Sequence, residues 1–125
     1  MRVIDPGHLF ELDHLDGRDT ELLRFVKRIG DKYPGNAAPA YEGTTMQEVL
    51  RALISRSQYV NTQRPCMQTA LAIKLLREAL RCMEIRAARE RGDAAAEDAI
   101  RVMPSLEFEP TCVGCGHVLC SRKHQ

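Results

Sequence analysis

The order of apolar and polar positions divides the chain into an alternating first part and a helical middle. From Thr44 to Arg91, apolar residues recur every three or four positions, which is the period of an amphipathic helix. Pro65 interrupts this period because it lacks a backbone N–H and disfavours helical geometry at Arg64. The pattern therefore predicts two antiparallel helices that fold back on each other around Arg64 and Pro65.

Local signals mark the ends of both predicted helices. Thr45 followed by Glu48 has the spacing of a capping box, and Gly92 suits a left-handed C-cap. Pro65 fits the first turn of the second helix. The helices would then be roughly 25 and 39 Å long, so the second overhangs the first by about two turns. We expect this surplus apolar surface to meet the N-terminal segment, a second copy of the chain, or both.

The segments on either side of the hairpin carry different patterns. Apolar positions alternate in 8–13 and again in 22–29, around a turn signal at 15–18, which predicts a β-hairpin lying on the helices. The hairpin becomes a small antiparallel sheet if 2–5 forms a third strand. Residues 30–43 are rich in Gly and Pro and predict a loop. Asp93 can cap a short third helix that reaches Met103. The predicted fold class is α+β, with strands and loop in 1–43, the helical hairpin in 44–92, and a short helix and Cys-rich tail in 93–125.

Composition limits the class of protein. The net charge is +1, which gives no sign of a nucleic-acid partner, but basic residues cluster between Lys27 and Arg91 and so favour a small anionic ligand. The apolar runs are shorter than the roughly 18 residues of a membrane span, and no signal-peptide pattern opens the chain. An odd number of cysteines, five, favours a reducing cytoplasm.

The C-terminal tail has the spacing of a metal site. Cys112 and Cys115 form a C-x2-C pair, and Cys120 and His124 complete a tetrahedral set for a structural zinc, with His117 as a further candidate. The alternative is a tail with adventitious thiols and no metal.

Catalytic motifs are weak in this sequence. It has no phosphate-cradling Gly-rich loop and no nucleophile elbow. Cys66 stands at a helix start, where a thiolate is favoured, but a buried small side chain is the simpler role for it, and Cys82 is expected in the core. The sequence therefore predicts a binding protein rather than an enzyme.

The helical hairpin resembles a domain of small phage proteins. The resemblance lies in QEVLRALISR and RPC–QTALAIKLLREALRCMEIRAARER. Its most telling residues are Asn61, Pro65, Cys66, Ala72, Ile73, Leu76, Ala79, Leu80, Glu84 and Arg86. This domain is shared by the Thoeris anti-defence sponges and the anti-CBASS sponges. The preceding LFELDHLDG, LLRFVKR and YPGN segments favour the Thoeris-like branch, which carries strands before the hairpin. The resemblance covers about Phe10 to Arg91, and the cysteine tail departs from it.

The resemblance implies a phage or prophage protein that does no chemistry and needs no cofactor. Such sponges act in the cytoplasm of the bacterial host, where they hold immune signalling nucleotides away from their effectors. Family ligands include cyclic ADP-ribose isomers and cyclic di- or trinucleotides. The family forms homo-oligomers, from dimers to hexamers, with pockets between protomers.

Residues that could bind such a ligand follow from its chemistry. Phosphates need cations, best as the bidentate guanidinium, and adenine needs a flat face for stacking. The candidate phosphate partners are Arg28, Lys32, Arg51, Arg56, Arg64 and Arg77. The candidate base platforms are Tyr33, Tyr41 and Tyr59. For each one alone, the alternative is a solvated charge or a packing ring. A second hypothesis for the whole chain is a zinc-tailed nucleic-acid-binding or regulatory phage protein, and a third is a structural prophage protein.

Overall fold

The computed structural model describes residues 1–29 and 39–102, and its fold is α+β as predicted. The chain divides into a strand unit, Met1–Met46, and a helical unit that begins at Gln47.

The strand unit contains a three-stranded antiparallel sheet. Its strands are β1 (Arg2–Asp5), β2 (Leu9–Asp13) and β3 (Thr20–Arg24), in the order β1-β2-β3. Val3 lies opposite Phe10, and Phe10 lies opposite Leu23, so one face of the sheet is apolar across all three strands. The predicted hairpin and its third strand are confirmed.

A second, two-stranded ribbon follows the sheet: its first strand comes from the end of segment 22–29, which we predicted as part of the hairpin, and its second strand comes from the predicted loop 30–43. Strand β4 (Lys27–Arg28) pairs with β5 (Pro39–Tyr41), and Thr44 then donates its backbone N–H to the Arg24 carbonyl. Gly43 allows this close return, because a Cβ at that position would lie 2.5 Å from the carbonyl carbon of Phe25. Strands of two or three residues are too short to show an alternating pattern of apolar and polar residues, so their formation depends on pairing between distant segments.

The helical unit contains three helices, α1 (Met46–Gln63), α2 (Met67–Glu90) and α3 (Ala94–Val102). Helix α1 begins directly after Thr45, as predicted. Helix α2 begins two residues after Pro65, with Cys66 as its N-cap, so Pro65 belongs to the connection rather than to the first turn.

The connection from α2 to α3 is built by two residues. Gly92 has φ of 69°, its N–H donates to the Arg89 carbonyl, and the Asp93 N–H donates to the Ala88 carbonyl, which is a Schellman motif. Asp93 then caps α3, because its Oδ1 accepts the Ala96 N–H at 3.0 Å. Both predicted helix ends at this point are confirmed.

The core of the helical unit joins all three helices. Ile54, Leu80, Ala88 and Ile100 are buried in one cluster. Helix α3 packs on the C-terminal part of α2, where Arg81 donates to the Ile100 carbonyl at 2.7 Å. The third helix, which we had not considered for this role, therefore covers part of the surplus surface of α2. No helix in the described part of the chain is long and apolar enough to cross a membrane.

Candidate ligand-binding site

Two candidate residues meet on the outer surface of α1. The guanidinium carbon of Arg56 lies 5.6 Å from the centroid of the Tyr59 ring, and both side chains are exposed. Their spacing, i and i+3, makes them neighbours on a helix surface. A cation over the face of an aromatic ring is held by the ring quadrupole and still has N–H donors for an anion. This pair thus combines a phosphate partner and a flat apolar face in one place.

Arg51, in contrast, is engaged with carboxylates. Its Nη2 donates to Glu84 Oε1 at 2.9 Å, and its Nη1 donates to Glu48 Oε1 at 3.3 Å. Two negative charges therefore surround one guanidinium, which makes this position poorly suited to a phosphate. The geometry favours a scaffold role for Arg51, in which it joins α1 to α2.

The other candidate cations are dispersed. Arg64 is exposed in the connection between α1 and α2, and Arg77 is half-buried on α2. Arg28 lies on β4 in the strand unit. Lys32 and Tyr33 lie outside the described residues.

Tyr41 is held in a small polar cluster of the strand unit. Its hydroxyl donates to Asp5 Oδ2 at 2.7 Å, and Lys27 Nζ donates to the same oxygen at 2.9 Å. Arg24 and Lys27 also lie 5.9 and 6.0 Å from the ring centroid. Partial burial, followed by the bond to Asp5, raises the pKa of Tyr41, and the Lys27 contact lowers the pKa of Asp5. This ring links β1 to the second ribbon, which suits a packing role better than base stacking.

Sequence reasoning missed Asp5 and Lys27 in this cluster. Asp5 precedes Tyr41 by 36 positions, so no local spacing connects them. These residues come together through strand pairing, and the expected third strand at 2–5 was the one indirect signal in the sequence.

Cys66 is exposed at the start of α2, and Cys82 is exposed too, so our prediction that both thiols are buried was wrong. Backbone N–H groups of Thr69 and Gln68 hold the pKa of the Cys66 thiol below its ordinary value. The Cys66 thiol donates to Gln68 Oε1 at 2.8 Å, and an amide oxygen is not a base that could activate a nucleophile. Cys66 was misplaced because Pro65 stays outside the helix and leaves the cap at the tip of the hairpin.

The predicted zinc ligands Cys112, Cys115, Cys120 and His124, with His117, lie outside the described residues. Within residues 1–29 and 39–102, no three His, Cys, Asp or Glu side chains converge on a point that could hold a metal ion.

Comparisons of the chain with known protein families, with curated proteins and with solved structures find no match.

Proposed function

We propose that this chain is a non-catalytic phage or prophage protein that binds and sequesters cyclic nucleotide-type immune signals. The ligands would be cyclic ADP-ribose isomers or cyclic oligonucleotides, held by a homo-oligomer in the cytoplasm of the bacterial host. The observation that carries the proposal is the exposed Arg56–Tyr59 pair, which offers a cation and a stacking face together.

The charge distribution around this pair supports an anionic ligand. Between Val49 and Arg77 the chain has no acidic residue. The basic residues of that stretch are Arg51, Arg56, Arg64, Lys74 and Arg77. Within this stretch, Arg51 pairs with Glu48 and Glu84. The end of the hairpin near the connection is therefore positive although the whole chain is almost neutral, and a local positive field raises the concentration of a small anion there.

The state of Cys66 favours binding over catalysis. In the common catalytic dyad, a nucleophilic thiol is paired with an adjacent base such as His and has access to the substrate carbonyl or phosphoryl group. Cys66 has access, but its thiol contacts an amide. Retention of an unaltered ligand is the function that agrees with this arrangement.

A retention experiment tests the proposal. The full chain is incubated with a panel of cyclic ADP-ribose isomers and cyclic di- and trinucleotides, filtered, washed, and the retained fraction is heated and analysed by mass spectrometry. We expect one ligand class to stay with the protein and to be released intact on denaturation. Arg56→Ala should weaken retention roughly 10-fold or more, since a hydrogen bond to a charged group contributes about 1.5–3 kcal/mol.

Arg18→Ala is the matched control, because Arg18 is exposed in the turn between β2 and β3. It removes the same charge from the strand unit and should retain ligand as the wild type does. Release of a degraded ligand would identify an enzyme. Absence of retention across the panel, together with a shifted oligonucleotide band, would instead support the zinc-tailed nucleic-acid-binding protein.

A further inference from the structure

Helix α1 exposes three apolar side chains at intervals of seven residues. Met46, Leu53 and Val60 are 45%, 46% and 38% exposed. On α2, Leu71 and Leu75 are each more than half exposed. An interval of seven keeps side chains on one stripe of a helix that packs against another helix in a coiled coil.

Helical geometry places Leu53 and Leu75 on one side of the hairpin. At 100° per residue, Leu53 lies about 100° to one side of the buried Ile54, and Arg51 lies about 60° to the other side. On α2, Leu75 lies about 140° to one side of the buried Leu80, and Glu84 about 40° to the other. Arg51 and Glu84 bond to each other, so they mark one common side of the hairpin. Leu53 and Leu75 therefore share the opposite side, which we call the open face.

Helix α3 does not cover the open face. Arg81, one residue after Leu80, turns about 100° toward the Glu84 side and donates to the Ile100 carbonyl of α3. Helix α3 thus packs on the side marked by the Arg51–Glu84 bond. The open face is left to solvent by α1, α2 and α3.

The equal spacing of the exposed apolar residues on α1 fits a second copy of this chain as the binding partner of the open face. Met46 and Val60 are equidistant from Leu53 in sequence. Two copies of α1 paired antiparallel about a two-fold axis at Leu53 therefore place Leu53 on Leu53, and Met46 on Val60 of the other copy. A surface with this symmetry is complementary to itself, as an isologous contact requires.

The net charge of the chain and the area of the open face are both compatible with a second copy as the partner. The net charge of +1 means that two copies repel only weakly. Helix α1 has 18 residues, which is about 27 Å of length. Two helices side by side are roughly 20 Å wide, so the open face has a projected area of about 540 Å². Accessible area exceeds projected area, and a standard interface buries about 800 Å² on each partner.

We infer that the open face is where two copies of the chain pair, with α1 antiparallel to α1 of the second copy. The inference deepens the proposed function and rests on it for its purpose, because a pocket between protomers needs a defined contact between them. Its test is independent of any ligand.

The first measurement is the molar mass of the full chain in solution, by size exclusion with light scattering at micromolar concentration. We expect wild-type protein to be a dimer or a multiple of one, and Leu53→Glu to reduce the mass at least two-fold. Ser55→Glu is the matched control, because Ser55 is exposed on the same helix and lies on the Arg51 side of Ile54, so its mass should equal that of the wild type. Leu75→Glu tests the α2 part of the face, and circular dichroism checks that each variant is helical.

A second measurement tests the pairing itself. Under mild oxidation, Leu53→Cys should form a disulfide between the two introduced thiols, identified by peptide mass spectrometry, because only positions near the axis bring two Cα atoms within about 4.4–6.8 Å. Ser55→Cys should not form such a link. A monomeric wild type, a folded Leu53→Glu that keeps the wild-type mass, or an assembled Leu53→Cys without the link would overturn the inference. An assembled wild type that retains no nucleotide would overturn the proposed function alone.

Discussion

The contact between Arg51 and Glu84 gives a prediction that distinguishes a structural role for Arg51 from a role in ligand binding. The two side chains are 28% and 23% exposed, and Arg51 also bonds to Glu48. Replacing Glu84 by Ala leaves the guanidinium with one carboxylate, whereas replacing Arg51 leaves two carboxylates without their cation. We therefore expect Arg51→Ala to be the more destabilising change, at about 2 kcal/mol, and Glu84→Ala to cost about 1 kcal/mol.

The assay is a double-mutant cycle in which urea unfolding of each variant is monitored by circular dichroism. The protein concentration is kept fixed because the stability of an oligomer depends on it. Fully exposed ion pairs couple by about 0.2–1 kcal/mol, and this pair is largely withdrawn from water, so we expect a coupling of about 1–1.5 kcal/mol. Added salt should lower this value only in part, since screening acts mainly on exposed charges.

The same variants enter the retention experiment. Because the donors of Arg51 are engaged by carboxylates, folded Arg51→Ala should retain ligand within about two-fold of the wild type, while Arg56→Ala loses roughly 10-fold. A coupling energy indistinguishable from zero would contradict the scaffold role. Equal losses of ligand retention in the two arginine variants would show that Arg51 also binds the ligand.

Three further predictions concern stability, each read from urea unfolding of the full chain. Gly43→Ala should destabilise the strand unit by more than about 2 kcal/mol, because the new methyl group would meet backbone atoms of neighbouring residues at 2.5–2.7 Å; unchanged stability would mean that the strand return is looser than the structure shows. Gly92→Ala should cost about 1–2 kcal/mol from its positive φ alone, since nothing lies within 4 Å of the added carbon, and a neutral result would contradict the left-handed cap. The lowered pKa of Asp5 means that its contacts with Lys27 and Tyr41 stabilise the fold above its ordinary pKa of 3.8 and that this stabilisation is lost as pH falls below that value. Asp5→Asn should therefore lower stability at pH 7 and flatten the loss between pH 4 and 2, and an unaltered acid limb would exclude Asp5 as a contributor.

Some contacts of the candidate site follow from local sequence, and others depend on tertiary structure. Arg56 and Tyr59 are three residues apart on one helix, so recognising α1 was enough to place them together. Arg51 belonged to the same list, yet its partner Glu84 is 33 positions away, and no pattern within α1 announces that bond. The sequence predicts Tyr41 in a loop, as a base platform or as a packing ring, and only the structure shows that its neighbours come from β1, β3 and β4.

What the sequence determined by itself is the N-terminal hairpin and the three helices. The helix start after Thr45, the caps at Gly92 and Asp93 and the break at Pro65 each depend on a few neighbouring residues, where local backbone geometry and hydrogen bonding decide the outcome. Tertiary structure decided which surfaces those elements share: the docking of α3 on α2, the second strand ribbon, the exposure of Cys66, and the apolar side of the hairpin that stays open. These depend on side chains that lie far apart in the chain, and their contact free energies exist only after the backbone has brought them together.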